Sequence, residues 1–186
     1  LKKEINPKGG VTEYSYDNFG KILTENTNSP SENTIINKTY SYDPTTKLPT
    51  VINGTYNGKN YIYTTFYENT LHRVIGKKEE TPDFTYETSV SYDSFGRIDE
   101  TELKTTLNNP SYVTISQVKN LYDSSGILTS QLDNQTGNVI WQLNNINAQG
   151  LTTQMHYGNG YTLQTDYSSE FYLQKIKHYN DSGNLL

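Results

Sequence analysis

One pattern constrains this chain more than any other. A tyrosine, an acidic or amide residue, two variable residues, a glycine, a variable residue and an aliphatic one recur together along its length. Clear copies run from Tyr16, Asp17 and Gly20 to Ile22, from Tyr92, Asp93 and Gly96 to Ile98, and from Tyr122, Asp123 and Gly126 to Leu128. A fourth runs from Tyr179 and Asn180 through Gly183 to Leu185. Worn copies start at Tyr42 with Asp43, at Tyr67 with Glu68, and at Tyr167 with Ser168; none of the three keeps the glycine. Tyr16, Tyr42, Tyr67 and Tyr92 are separated by 26, 25 and 25 residues, so the chain is built of repeats and not of one irregular domain.

Each copy reads as a hairpin. Residues before the tyrosine alternate at period two, as in Tyr14 and Tyr16, Tyr40 and Tyr42, Val90 and Tyr92, and the run Tyr61, Tyr63, Thr65 and Tyr67. The aspartate can accept a hydrogen bond from the backbone two residues on and so start a turn. The glycine three residues after it can take the left-handed conformation that closes a type I turn with a bulge. The aliphatic residue then opens the return strand. A second set of turn signals alternates with these: Asn6 to Gly10, Asn57-Gly58, Asn108-Asn109-Pro110, Asp133 to Gly137, Asn147 to Gly150, and Asn159-Gly160. The expected fold class is therefore all-β, an antiparallel meander over residues 1–186 as a single array. No window keeps helical periodicity for three turns.

Composition agrees with this. Only 32% of residues are hydrophobic, and 17 are tyrosine, so the expected interior is thin, aromatic and hydrogen-bonded. The net charge of −5 is spread along the chain, and no Lys/Arg cluster offers a footprint for nucleic acid. No apolar run approaches the length of a membrane span. The absence of cysteine removes disulfides and thiolate-bound metal. The chain begins at Leu1 and ends just after a turn glycine; both ends read as cuts through a repeat, with the array expected to continue in both directions.

The Tyr-Asp-x-x-Gly signature resembles the YD repeat of RHS-repeat proteins, a family that includes bacterial polymorphic toxins, wall-associated proteins, shell components of ABC toxin complexes, and the teneurins. Trp141, the Asn147 to Gly150 turn, Tyr157 to Thr162, and Tyr179 to Leu185 resemble the family's usual succession. The resemblance implies a curved or spiralling β-sheet strip that contributes to a hollow shell. It implies adjacent repeats of the same polypeptide as partners, an enclosed C-terminal effector domain, and a secreted or cell-surface bacterial location. The autoproteolytic aspartate motif of that family has no counterpart here.

No catalytic, cofactor or metal residue is expected. His72, His156 and His178 stand singly, and Glu79-Glu80 and Asp99-Glu100 with Glu102 lack the spacing of a calcium loop. There is no Gly-x-Ser-x-Gly elbow. The glycines of Tyr157 to Gly160 open no helix and read as a hairpin turn, not a phosphate loop. Asn37, Asn53, Asn134 and Asn180 head N-glycosylation patterns that composition alone accounts for. Two functions remain. One is a non-catalytic structural segment of a repeat shell; the alternative is a carbohydrate- or receptor-binding module presenting tyrosine-rich hairpins.

Overall fold

The computed structural model describes residues 2–108 and 111–186. Leu1 and the Asn109-Pro110 pair, on which the upstream-hairpin reading and one turn signal fall, lie outside the described residues. The described residues are all-β, with fifteen antiparallel strands among them in sequential order along one open meander. They are β1 Lys3–Ile5, β2 Val11–Tyr16, β3 Ile22–Ser29, β4 Thr34–Tyr42, β5 Pro49–Tyr56, β6 Lys59–Tyr67, β7 Val74–Glu80 and β8 Phe84–Tyr92. There follow β9 Ile98–Asn108, β10 Ser111–Tyr122, β11 Leu128–Asp133, β12 Val139–Ile146, β13 Thr152–Tyr157, β14 Thr162–Tyr167 and β15 Leu173–Tyr179. One 3-10 turn at Pro30–Glu32 joins β3 to β4. Two compact units divide the chain, Leu1–Val90 with Leu103–Ile115, and Ser91–Glu102 with Ser116–Leu186.

In the first unit the period-two pattern places tyrosines and a few charges on one face. Register links Tyr14, Glu25, Lys38, Gly54 and Tyr61 in one cross-strand row. Tyr40, Ile52, Tyr63, Glu79 and Tyr86 form another. Glu25 accepts from Lys38 Nζ and from the Tyr40 hydroxyl, each at 2.7 Å. The Tyr61 ring lies against Gly54 so closely that a Cβ there would stand 2.1 Å from Tyr61 Cζ. The glycine in mid-strand is thus the floor under an aromatic ring, which restores the packing a side chain would otherwise supply. The other face carries amides and hydroxyls, as in the row Asn26, Asn37, Thr55 and Asn60.

The expectation of a thin aromatic interior is corrected. Among the described residues no hydrophobic side chain is fully buried, and the most enclosed side chains are polar: Ser29, Asn120, Ser130 and Thr165. The physical reason is that no second layer of secondary structure is present among them to cover a sheet face. Tyrosines are half-buried by their neighbours on the same sheet, and Tyr56, Tyr86, Tyr112, Tyr161 and Tyr172 remain exposed. In the second unit a chain of amides fills the place of a core. Asn120 Nδ2 donates to the Ile98 carbonyl, Gln131 Nε2 to Asn120 Oδ1, and Trp141 Nε1 to Gln131 Oε1, at 2.9, 2.9 and 2.6 Å. Polar groups this enclosed are tolerated because each finds a partner.

Candidate functional site

The candidate site is the repeated turn and the contact it makes with the hairpin before it. Within the turn, one side-chain oxygen gathers two backbone amides. Asp17 Oδ1 accepts from the amides of Phe19 and Lys21, Asp93 Oδ1 from Phe95 and Arg97, and Asp123 Oδ1 from Ser125 and Ile127, all between 2.8 and 2.9 Å. The backbone closes the same loop, with the Gly20 amide donating to the Asp17 carbonyl at 3.1 Å and the Asp17 amide to Lys21 at 2.9 Å. Gly20, Gly96, Gly126 and Gly183 all have φ between 74° and 86°, the left-handed region. Strand register shifts at the motif tyrosine in the copies ending at Tyr16, Tyr42, Tyr67, Tyr122 and Tyr167, which marks a bulge at each.

The worn copies keep this geometry without glycine. Lys47, His72 and Phe171 hold φ of 62°, 56° and 66° at the closing position. Their turns are held instead by Asp43, Glu68 and Ser168. Asp43 Oδ1 accepts from the Thr45 and Thr46 amides, Ser168 Oγ from those of Glu170 and Tyr172, and the Glu68 amide donates to the Arg73 carbonyl. A side-chain-bearing residue pays about 1–2 kcal/mol for that conformation. Lys47→Gly, His72→Gly and Phe171→Gly should therefore each raise stability by about 0.5–1 kcal/mol in urea unfolding, after the glycine's own entropy cost. Gly96→Val should lower it by about 1–2 kcal/mol while Ser94→Ala changes little.

Two sequence assignments are corrected by the strand count. The Asn147 turn follows β12 and so lies on the same edge as the turns after β2, β4, β6, β8, β10 and β14, not in the alternating set. Asn147 Oδ1 gathers the amides of Gln149 and Leu151 as the aspartates do, and Ile146 stands where the tyrosine would be. Conversely, Tyr179 and Gly183 shape a turn after β15, on the opposite edge. Spacing held the signal: Asn147 follows Asp123 by 24 residues, a full repeat, whereas Tyr179 follows Tyr167 by only 12.

The motif tyrosine reaches backward. The Tyr42 hydroxyl donates to the Ile22 carbonyl at 2.8 Å, Tyr67 to Pro49 at 3.0 Å, Tyr122 to Ile98 at 2.8 Å and Tyr167 to Thr152 at 3.1 Å. Each acceptor is the first residue of the return strand in the preceding turn of that edge. Where β3 meets β4, β5 meets β6 and β13 meets β14, the last backbone pairs are Thr24 with Thr39, Val51 with Thr64 and Gln154 with Gln164. In all three the tyrosine lies three residues beyond that pair, and its acceptor two residues before it. The phenol thus takes over where the ladder of backbone donors stops, closing the frayed end between successive hairpins. A cation from the earlier turn adds to this contact, with Lys21 Nζ 4.9 Å from the Tyr42 ring centre and the Arg97 guanidinium 4.2 Å from that of Tyr122.

Electrostatics follow the same geometry. Burial works to raise the Asp93 carboxyl, but the amides of Arg97 and Phe95 and the Arg97 guanidinium hold it below the usual aspartate value. The Thr46 and Thr45 amides lower Asp43, and the Thr136 and Gln135 amides lower Asp133. Burial and then Asp17 raise the Tyr42 phenol; burial and then Glu25 raise Tyr40. A depressed carboxylate means the unfolded chain binds more protons, so stability is present above the unfolded value, about 4, and is lost as pH falls through the folded one. A raised phenol contributes stability below its unfolded value, about 10, which is lost as pH rises beyond it. Urea midpoints across pH should therefore form a plateau that declines at both ends, and Asp93→Asn should flatten the acid limb.

Among the described residues no group of three or more His, Asp or Glu converges as a metal site. Asp99 and Glu100 are occupied by Lys119 at 2.7 and 3.0 Å, and His156 faces the Thr162 hydroxyl at 3.3 Å. No helix among these residues is long and apolar enough to cross a membrane.

The serial hairpin meander is an RHS-like β-fold. Solved toxin-complex chains share it. One, from the Photorhabdus luminescens Tc holotoxin pore with a TccC3 variant, is 15% identical with a TM-score of 0.58, and the match covers 100% of this chain and 11% of that one. Another, from a TcdB2-TccC3-TEV crystal structure, is 15% identical with a TM-score of 0.57, covering 99% and 11%. At such identities the likeness is one of fold, and this chain spans about a ninth of either. No protein-family model matches the sequence, and no curated protein does.

Proposed function

We propose that this chain is a non-catalytic structural segment of a YD/RHS-repeat shell, a single array over residues 1–186. The observation that carries the reading is the tyrosine contact. In four places the recurring residue is spent on tying one hairpin to the one before it, which is the work of a scaffold. Tyr16, Asp17, Gly20, Tyr42, Asp43, Tyr92, Asp93, Gly96, Tyr122, Asp123 and Gly126 serve this structural role, with Tyr179 and Gly183 shaping a matching turn at the other edge. Stability of such an array approximates a sum over neighbouring units. The shared fold with Tc toxin chains supports a toxin-shell setting: adjacent repeats as partners, an enclosed C-terminal effector, and a secreted or surface location on a bacterium.

Engagement of the motif tyrosines also favours architecture over a tyrosine platform for glycans or receptors, because a hydroxyl committed to a backbone carbonyl is not offered to a ligand. The test is limited proteolysis of the full-length gene product under native conditions. The repeat region should resist cleavage and shield an effector segment, with the shielding lost in a variant carrying phenylalanine at Tyr42, Tyr67, Tyr122 and Tyr167. A repeat region as easily cut as an unfolded chain would rule out the shell.

A further inference from the structure

We propose that the cleft between the Asn147 and Ser168 turns is a binding site for a neutral glycan, a role separate from the scaffold reading above. The cleft has a volume of about 440 Å³ and lies wholly within the second unit. Its chemistry comes from Asn145, Gln149, Gln154, Gln164, Asp166 and Phe171. Register sets Asn145, Gln154 and Gln164 in one row across β12, β13 and β14. The three residues therefore neighbour one another at the spacing of adjacent strands, about 5 Å, with the strand irregular at Asn145.

Two independent observations mark this cleft. First, the side-chain amides of Asn145, Gln149, Gln154 and Gln164 make no hydrogen bond within the described residues. Other amides of the unit divide: Asn120 and Gln131 are tied up in the chain to Trp141, while Gln142 and Asn144 are as free among the described residues. The row and the cleft, not the free amides alone, therefore single this place out. Second, Phe171 occupies the left-handed closing position of its turn, where Gly20, Gly96, Gly126 and Gly150 stand in sister turns. A large aromatic is held at the least favourable backbone position, 51% exposed, at the rim of the amide row.

Those two features together match a sugar. Each amide offers a donor pair and an acceptor, which suits neighbouring hydroxyls, and an exposed ring suits the apolar face of a pyranose. Charge points to a neutral ligand, since the one carboxylate, Asp166, is paired with Lys177 at 2.7 Å. A peptide fits less well: β13 and β14 are paired on both sides, so the cleft presents no strand edge for a peptide to join. A cleft of about 490 Å³ recurs in the first unit between the Asp43 and Glu68 turns. There Asp43 is taken up by turn amides and Glu68 by Arg73, and no amide row is present. The frame repeats, but the lining that recognises sugar does not.

The test is NMR of the side-chain NH2 groups of the whole chain during titration with maltotriose, cellotriose and chitotriose. Triethylene glycol and an uncharged Gly-Ser peptide serve as controls. At least one trisaccharide should shift the Asn145, Gln154 and Gln164 signals in a saturable way. Gln154→Met with Gln164→Met should weaken binding about tenfold through two lost hydrogen-bonding groups. Phe171→Gly, which suits the backbone and keeps the turn, should weaken it about fivefold by removing the ring. The proposal is overturned if no trisaccharide moves these signals, if the variants bind as the parent does, or if either control produces the same shifts.

Discussion

Gly158→Ala is expected to destabilise the protein by about 3 kcal/mol, the upper end of what overpacking costs. Gly158 donates its amide to the Ile140 carbonyl at 2.8 Å, which draws the turn after β13 down onto the start of β12. A Cβ at that position would lie 1.8 Å from the Val139 carbonyl oxygen. That neighbour is backbone within a paired strand and cannot swing aside as a flexible side chain would. Gly137→Ala is the matched control, because it too replaces a turn glycine but nothing lies within 4 Å of the added carbon. It should cost only the left-handed penalty, about 1 kcal/mol. Urea midpoints of the two variants measure the difference directly, and a Gly158→Ala protein as stable as Gly137→Ala would refute the close approach.

The second large effect is at Tyr122. Tyr122→Ala removes a half-buried ring, its bond to the Ile98 carbonyl and its contact with Arg97 at 4.2 Å. The combined loss should be about 3 kcal/mol, at the lower end for aromatic truncation because the ring is only half enclosed. Tyr122→Phe keeps the ring and should cost about 1 kcal/mol, the worth of one hydrogen bond whose acceptor loses its partner. Tyr172→Ala, at a residue 74% exposed, should stay within about 0.5 kcal/mol of the parent. Equal losses at Tyr122 and Tyr172 in a urea series would deny the motif tyrosine its special place.

Much of this was legible in the residues. Tyrosine at period two, aspartate and glycine at fixed offsets and a spacing near 25 led to the hairpin, the meander and the all-β class. The bonding partner of the tyrosine was not legible, because its acceptor is a backbone carbonyl. Ile22, Pro49, Ile98 and Thr152 share no side-chain chemistry; they share only their place at the head of a strand. Turn closure at Lys47, His72 and Phe171 was hidden for a related reason: glycine lowers the cost of the left-handed position but is not required once other bonds hold the loop. Asn147 has the residue type of the alternating turns but the place of the motif turns, since the aromatic has become Ile146 while the spacing of the repeat persists. The thin aromatic interior that composition suggests is not found, because composition reports how many rings are present, not whether anything covers them. The amide cleft was invisible, since asparagine and glutamine are scattered throughout and only register brings three of them into a row.

The central claim is that the motif phenols hold successive hairpins together. It is tested most directly by comparing two quadruple variants in urea unfolding. Phenylalanine at Tyr42, Tyr67, Tyr122 and Tyr167 removes four interlocking hydroxyls and nothing else. Phenylalanine at Tyr56, Tyr86, Tyr112 and Tyr172 removes four from exposed rings. The first set should lose about 4 kcal/mol, roughly one for each bond, and the second less than about 1 kcal/mol in total. Similar losses in the two sets would contradict the interlock and, with it, the scaffold.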